Sequence, residues 1–277
     1  MVIHNKMYGH AFRKLRLSKG YSLSYFSRIN ISKATISDFE NGRTIINIEK
    51  LDMMLNEMNV SLSEFDLLLN NYVPIFQEEF LLELEEADYH QNQIKIRKLY
   101  AEAAESFYKW EALAAKACLK ELSQSDINEI SIFIRNIKEW GYFELTFAYF
   151  VVEWLKTDLI VEVMNDFERK NKNEYIIAKY RRRLFQIIYR IIEIFIFRDE
   201  ESKARVLIKY VERYHHTEEF YSFILNALAK SFIQYRFEDK VEATLKINRL
   251  LAFLEEVDCH VMKKYYENKF NELKKVK

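Results

Sequence analysis

The sequence predicts an all-α protein in two parts, and three observations carry that expectation. Its 277 residues include one proline (Pro74) and four glycines (Gly9, Gly20, Gly42 and Gly141). Few glycine or proline turns can therefore exist, and long helices joined by short polar connections are expected. Apolar residues recur at three- and four-residue intervals instead of alternating, the period of a helix with one buried face. Hydrophobic residues make up 49% of the chain, ample for a core at this length.

The first part is a run of five short, individually capped helices within residues 1–70. Residues 7–19 place Phe12 and Leu15 on one helical face, beside Arg13, Lys14 and Arg16, and Gly20 ends that helix. Ser22 is expected to cap a second helix, LSYFSRI, with Leu23 and Phe26 inward. Asn30 and Ile31 then connect to Ser32, the N-cap of a third helix, KATISDFE, which Gly42 closes. Asn47 caps a fourth helix, and Ser61 with Glu64 forms a capping box that starts a fifth.

The chain carries no net charge, yet residues 1–43 hold eight Lys and Arg side chains against only Asp38 and Glu40. A basic head on a neutral chain suggests a polyanion as the partner of that head. On the third helix, Ile36 and Phe39 point one way, and Lys33, Ala34, Ser37, Asp38 and Asn41 point the other. Small and hydrogen-bonding side chains on the outward face let a helix sink into the major groove of DNA. Thr35, on the flank, is placed to touch a phosphate or a thymine methyl group.

The stretch Gly20–Gly42 resembles the Cro/repressor type of helix-turn-helix, a five-helix, lambda-repressor-like domain. Its SKATISDFENG segment is most similar to the Rgg/MutR-like family of bacterial transcription regulators, in which Ser-Lys-x-x-Leu-Ser-x-Phe-Glu-x-Gly recurs. The similarity continues through residues 49–72. The resemblance implies that Lys33, Ala34, Ser37 and Asp38 face base edges of double-stranded DNA. Ser22, Ser24, Arg13, Asn41 and Arg43 would hold phosphates and set the register. It also implies an internal ion pair between Arg16 and Glu40. Asp38 either accepts from a cytosine amino group or orients Lys33 or Lys14. Ala34 departs from family readers that carry Gln or Arg there, so shape readout gains weight.

After a linker at 71–77, residues 78–277 read as helix pairs. These are 78–104 with 106–121, 126–139 with 142–156, 178–197 with 201–214, and 218–236 with 239–255, before a last helix at 259–274. Segments 197–211 and 235–249 align as a weak internal repeat, at a spacing longer than the tetratricopeptide period of about 34. Stacked amphipathic hairpins of this kind form a TPR-like right-handed array with a concave face. Trp140, Phe143, Glu144 and Leu145 also resemble the Rgg-like pattern. In that family the array is TPR-like, mediates homodimerisation and commonly receives a short secreted peptide, as in quorum sensing. Three polar stripes are candidates for such a site: Ser131, Arg135 and Lys138; Arg183, Gln186, Arg190 and Glu193; and Ser222, Asn226, Lys230 and Gln234. Asn226 and Gln186 suit a peptide backbone, Lys230 extends the third stripe, and Arg135, Arg183 and Arg190 suit a carboxylate. The competing view makes each stripe the wet side of an amphipathic helix.

Glycine-poor sequence of this kind holds no phosphate loop, nucleophile elbow or paired carboxylates, and no catalysis or cofactor is expected. Cys118 and Cys259 lack metal-type spacing, and the adjacent His215 and His216 cannot share a helical face, so no metal is expected. No apolar leader is visible, and the greasiest stretch, 184–197, is broken by Gln186, Arg190 and Glu193. A cytoplasmic protein without a membrane span is expected. Two other functions compete: a ligand-independent repressor of phage or mobile-element type, whose array only mediates dimerisation, and a helical protein-interaction scaffold.

Overall fold

The computed structural model describes residues 2–69, 76–170, 177–213 and 220–276, and side chains of residues 2–5, 168 and 170 are not part of that description. All ordered elements among them are helical, and they fall into two compact units, Met1–Glu79 and Phe80–Lys277. Pro74, His215 and His216 lie outside the described residues, as do positions 71–75 of the expected linker; Phe76 and Gln77 already belong to a helix.

In the first unit, helix α1 (Val2–Ser18) is followed by a 3₁₀ helix (Leu23–Ile29), α2 (Lys33–Glu40), α3 (Ile48–Glu57) and α4 (Leu62–Leu69). Gly20 and Gly42 take positive φ of 75° and 70°, the left-handed geometry that ends a helix without a Cβ clash. Ser32 Oγ accepts from Thr35 N at 3.1 Å, and Asn47 Oδ1 accepts from Lys50 N at 2.9 Å. Ser61 and Glu64 exchange both capping-box bonds, at 2.8 and 3.1 Å. Ser22 departs from expectation. Its hydroxyl caps nothing and pairs with Ser24 Oγ at 2.9 Å, and the segment it precedes is a 3₁₀ helix. The core gathers Phe12, Phe26, Ile36, Phe39, Met54, Leu55 and Phe65. Phe12 packs its ring 5.9 Å from Phe26 and 5.7 Å from Phe39, so α1, the 3₁₀ helix and α2 close on one aromatic cluster.

Helix α5 (Phe76–Tyr89) carries the chain across the boundary at Phe80, and the second unit continues with α6 (Gln93–Glu105), α7 (Lys109–Cys118), α8 (Gln124–Asn136) and α9 (Tyr142–Val151). A 3₁₀ turn (Val152–Trp154) leads to α10 (Thr157–Lys170). Then come α11 (Ala178–Phe197), α12 (Glu201–Arg213), α13 (Phe220–Phe237), α14 (Lys240–Glu256) and α15 (His260–Leu273). Helix α6 packs on α7, α7 on α9, α8 on α10, α12 on α13, and α14 on α13 and α15, while α11 is the hub, against α9, α12 and α13. Its Leu184, Ile187, Ile188, Ile191, Ile192, Phe195 and Ile196 are all buried, which is why this helix reads as apolar almost all round.

Two expectations are corrected here. The helix expected over 78–104 is two helices, broken where Gln91 enters the left-handed region (φ 53°) and Asn92 caps α6 through Lys95 N. Residues 157–170, assigned to no hairpin from sequence, form α10, which buries Leu159, Ile160, Val163 and Phe167 and sets Phe167 4.5 Å from Trp140. A scarcity of glycine does not lengthen the helices. Asn30, Asn59, Gln91, Phe107, Lys120, Asp199 and Asp258 supply positive φ instead, at about 1 kcal/mol each. Tertiary packing supports those turns, so composition alone overstates helix length.

Candidate DNA-reading surface and ligand trench

Helix α2 exposes Lys33 and Ala34 to solvent, with Thr35, Ser37 and Asp38 half-buried beside them, while Ile36 and Phe39 fill the core. Beneath it, Arg16 and Glu40 form a bidentate pair, Nε to Oε1 at 2.6 Å and Nη2 to Oε2 at 2.8 Å, with Arg16 Nη1 also donating to Tyr21 O at 2.6 Å. This pair fixes α1, α2 and the turn after Gly20 in one arrangement. Arg13 lies exposed on α1 without an ion-pair partner among the described residues. Asp38 is oriented by neither Lys33 nor Lys14; it accepts from Arg43 Nη1 at 3.2 Å. That pair is exposed and therefore weak, so a phosphate can replace Asp38 on Arg43 at little cost. Asn41 gives its amide to Ser37 O at 2.7 Å, serving the end of α2.

In the second unit one polar stripe runs along the central helix. Arg183, Gln186, Arg190 and Glu193 follow at three- and four-residue intervals on α11, and all four are nearly inaccessible to solvent. Arg183 donates to Glu85 Oε2 at 2.5 Å, and Gln186 to Glu85 Oε1 at 3.2 Å. Arg183 Nε and Nη1 remain buried without a hydrogen-bond partner among the described residues. Arg190 sits between Asp88 at 3.9 Å and Glu153 at 3.7 Å, over the Tyr149 ring at 4.7 Å. The stripe floors a trench. A cavity of about 520 Å³ lies at the Arg183 end, walled by Glu85, Tyr89, Tyr142, Lys179 and Arg182. A narrow passage of only about 10 Å³, the room of about one water, is bounded by Tyr89, Tyr149, Tyr189, Tyr221 and Tyr265 and shares Gln186 with it. The passage shares Arg190 and Glu193 with a second cavity of about 260 Å³, closed by Phe197, Lys269 and Glu272.

The other two expected stripes do not join this trench. Arg135 is exposed on α8 and pairs with Glu162 of α10 at 3.6 Å. Asn226 and Lys230 both turn to Glu212 of α12, Asn226 at 3.4 Å. What sequence reasoning missed is the opposite wall. Glu85, Asp88 and Tyr89 share one face of α5 at i, i+3 and i+4 spacing, the signal in the sequence that groups them.

Two carboxylates of the trench are shifted in opposite directions. Burial pushes Glu193 up to about 7, against the pull of Lys269 and Arg190. Burial also opposes charge on Glu153, but a hydrogen bond and charge from Lys120, with Lys269 and Arg190, bring it down to about 2. A raised carboxyl pKa contributes stability below its unfolded value near 4.5 and loses it as pH climbs to about 7. Glu193→Gln is therefore expected to stabilise the chain by about 3 kcal/mol above pH 7 and to change little at pH 4.5. Urea unfolding at both pH values checks this; an equal effect at both would remove burial of the charge as the cause. Glu153 behaves oppositely, its contribution being lost as pH falls from near 4.5 toward 2.

Comparison with known proteins identifies the family. Residues 12–65 match the helix-turn-helix family profile, and residues 79–268 match the C-terminal domain of the HTH-type transcriptional regulator Rgg. The latter alone spans well over half of the chain. The chain belongs to the Rgg family of transcriptional regulators. Solved structures share the Rgg architecture from end to end. The SHP pheromone receptor Rgg2 of Streptococcus dysgalactiae is 18% identical, with a TM-score of 0.75 over 96% of this chain and 99% of that one. A Listeria monocytogenes EGD-e protein assigned as a transcriptional regulator is 12% identical, with a TM-score of 0.81 over 98% of each chain. PrgX in complex with cCF10 is 11% identical, with a TM-score of 0.67 over 97% of this chain and 92% of that one. At these identities the likeness is one of fold. No described helix of this Rgg protein is long and apolar enough to cross a membrane, and no described cluster of side chains could hold a metal.

Proposed function

We propose that this Rgg protein is a homodimeric, DNA-binding regulator controlled by a short peptide lying in the trench along α11. The trench itself carries the reading. Ala178 and Phe197 bound its two ends, 19 residues apart on one helix, or about 28 Å. That length matches about eight residues of extended peptide once the tyrosines of the passage swing aside. Tyrosine walls offer apolar surface and hydroxyls, and Gln186 offers amide groups to a peptide backbone. Arg182, which has no carboxylate partner among the described residues, and the two unpartnered nitrogens of Arg183 suit a carboxylate at one end. Likeness to a pheromone receptor and to PrgX with cCF10 supports a peptide as the occupant. Arg190 contributes from the floor, while Arg135, Asn226 and Lys230 are withdrawn from the site because they lie elsewhere.

Peptides corresponding to the last six to ten residues of the small reading frames beside the gene are the direct probe. At a hundredfold excess over its dissociation constant, the cognate peptide is expected to stabilise the chain by about 2.7 kcal/mol and to change its affinity for its own promoter. If no such peptide moves either quantity, the ligand-independent repressor takes its place.

For the N-terminal unit, Lys33, Ala34, Ser37 and Asp38 are proposed to face bases, with Thr35 at the flank. Arg13, Arg43, Ser22 and Ser24 hold phosphates, and Asn41 acts by finishing α2. Arg13→Ala is expected to weaken binding to operator and random DNA alike and to reduce the salt slope by about 1. Lys33→Ala and Ser37→Ala should instead cost about 1–3 kcal/mol on the operator and change the preferred site. Gel-shift titrations at two salt concentrations separate these outcomes, and equal losses on both DNAs for all three would remove the proposed base readers. Dimeric binding predicts half-sites about 34 Å apart.

A further inference from the structure

At the Phe197 end of the trench, one charged group differs from its neighbours. Glu193 is more than nine-tenths buried and lines both the narrow passage and the 260 Å³ cavity. Among the described residues it has neither a hydrogen bond nor an ion pair. Most of the other charges around it have carboxylate or carbonyl partners. Glu153 is held by Lys120 at 2.6 Å. Arg198 donates to Glu153 O, Leu155 O and Thr157 Oγ1 at 2.9–3.2 Å. Lys269 pairs with Glu272 at 3.8 Å and lies over the rings of Phe197 and Tyr265. Arg190 lies 3.9 Å from Asp88 and 3.7 Å from Glu153, and its Nη1 is buried without a hydrogen-bond partner among the described residues. Burying a carboxyl without a partner is costly, and its open side is the cavity.

We infer that this cavity is a subsite for a primary ammonium group of the bound peptide, with the Glu193 carboxylate as its counter-ion and the Phe197 ring beside it. The inference rests on the peptide reading above and adds the ligand's chemistry and direction to it. An ammonium answers both features of the site. It supplies hydrogen bonds and charge to the one unanswered carboxylate, next to the Phe197 ring that Lys269 already overlies. A second carboxylate, Glu272, stands at the same mouth. Placing the peptide's amino end here leaves its carboxyl end toward Arg182 and Arg183. Because burial holds the empty Glu193 up to about 7, occupation by a cation ionises it and releases a proton. The groups facing Glu193 that shape this response are Arg190 and Tyr189 on its own helix, Arg198 just past its end, Glu153 on the 3₁₀ turn, Tyr89 on α5, Tyr149 on α9, Tyr221 on α13, and Tyr265, Tyr266, Lys269 and Glu272 on α15.

Octapeptide pools randomised over Leu, Ile, Val, Phe, Trp and Gly provide the test, incubated with the full chain and read by mass spectrometry after gel filtration. One pool has free amino ends, a second is acetylated, and a third is acetylated with one lysine added. At pH 7.5 the free pool should be retained about tenfold over the acetylated pool, which carries no ammonium. Retention of the lysine pool alone would assign the site to a side-chain ammonium, and of the free pool to the amino terminus; either supports the subsite. Glu193→Gln should erase the preference, and the wild-type preference should fade at pH 5.5, where the carboxyl is protonated. Equal retention of all three pools by the wild type overturns the subsite and leaves the peptide reading standing. Failure to retain any pool overturns both. Should the variant unfold, the acetylation and pH arms on the wild type still decide.

Discussion

Arg16→Met is expected to cost the N-terminal unit about 3–5 kcal/mol, enough to abolish specific DNA binding at growth temperature. The side chains of Arg16 and Glu40 are only 7% and 4% exposed, so removal of the guanidinium leaves a carboxylate in the core without its counter-ion. Tyr21 O also loses its donor. The double replacement Arg16→Met with Glu40→Leu should recover most of the loss, because two apolar side chains need no desolvation. Thermal melting and hydrogen exchange of the full chain check both variants. If the double variant were as unstable as the single one, packing shape and not the orphaned charge would be the cause.

Gly9→Ala carries the other large effect. A Cβ built at Gly9 would lie 2.0 Å from Phe39 O and 2.9 Å from Phe39 C. Both contacts are to backbone, so no side chain can swing aside, and α1 must move off α2. Alanine gains about 1 kcal/mol of helix propensity over glycine. Overpacking against fixed backbone costs about 1–3 kcal/mol and sometimes more, and a contact this short places the site at the upper end. The expected net result is a destabilised unit with α2 displaced from the position that serves DNA. A melting point equal to or above the wild type, with unchanged operator affinity, would show that α1 can yield at this point.

Local features of the N-terminal unit were legible because each depends on residues a few positions apart. Ser32 with Thr35, Asn47 with Lys50, and Ser61 with Glu64 are caps whose partners lie three residues on. Ile36 and Phe39 face inward as the helical period requires. Ser22 failed because a 3₁₀ turn places its backbone N–H groups differently, and Ser24 was the nearer partner. Gly9 was counted as one more glycine; its role depends on Phe39, thirty residues away, and on backbones that nothing in the local pattern brings together.

The trench divides along the same line. Arg183, Gln186, Arg190 and Glu193 were visible as one stripe of α11, since side chains at these intervals share a helical face. Their neighbours were not. Glu85 lies 98 residues from Arg183 in sequence, and Tyr149, Tyr221 and Tyr265 come from three further helices. By itself the sequence determined the helical class, the capped N-terminal helices, the outward face of α2 and the family, all of which rest on short-range periodicity and a contiguous motif. Tertiary structure alone decided that Arg135, Asn226 and Lys230 point away from the stripe on α11, that the acidic face of α5 meets it, and that Glu193 is left without a partner. Helix packing chooses among several amphipathic faces by long-range fit, and no local period records that choice.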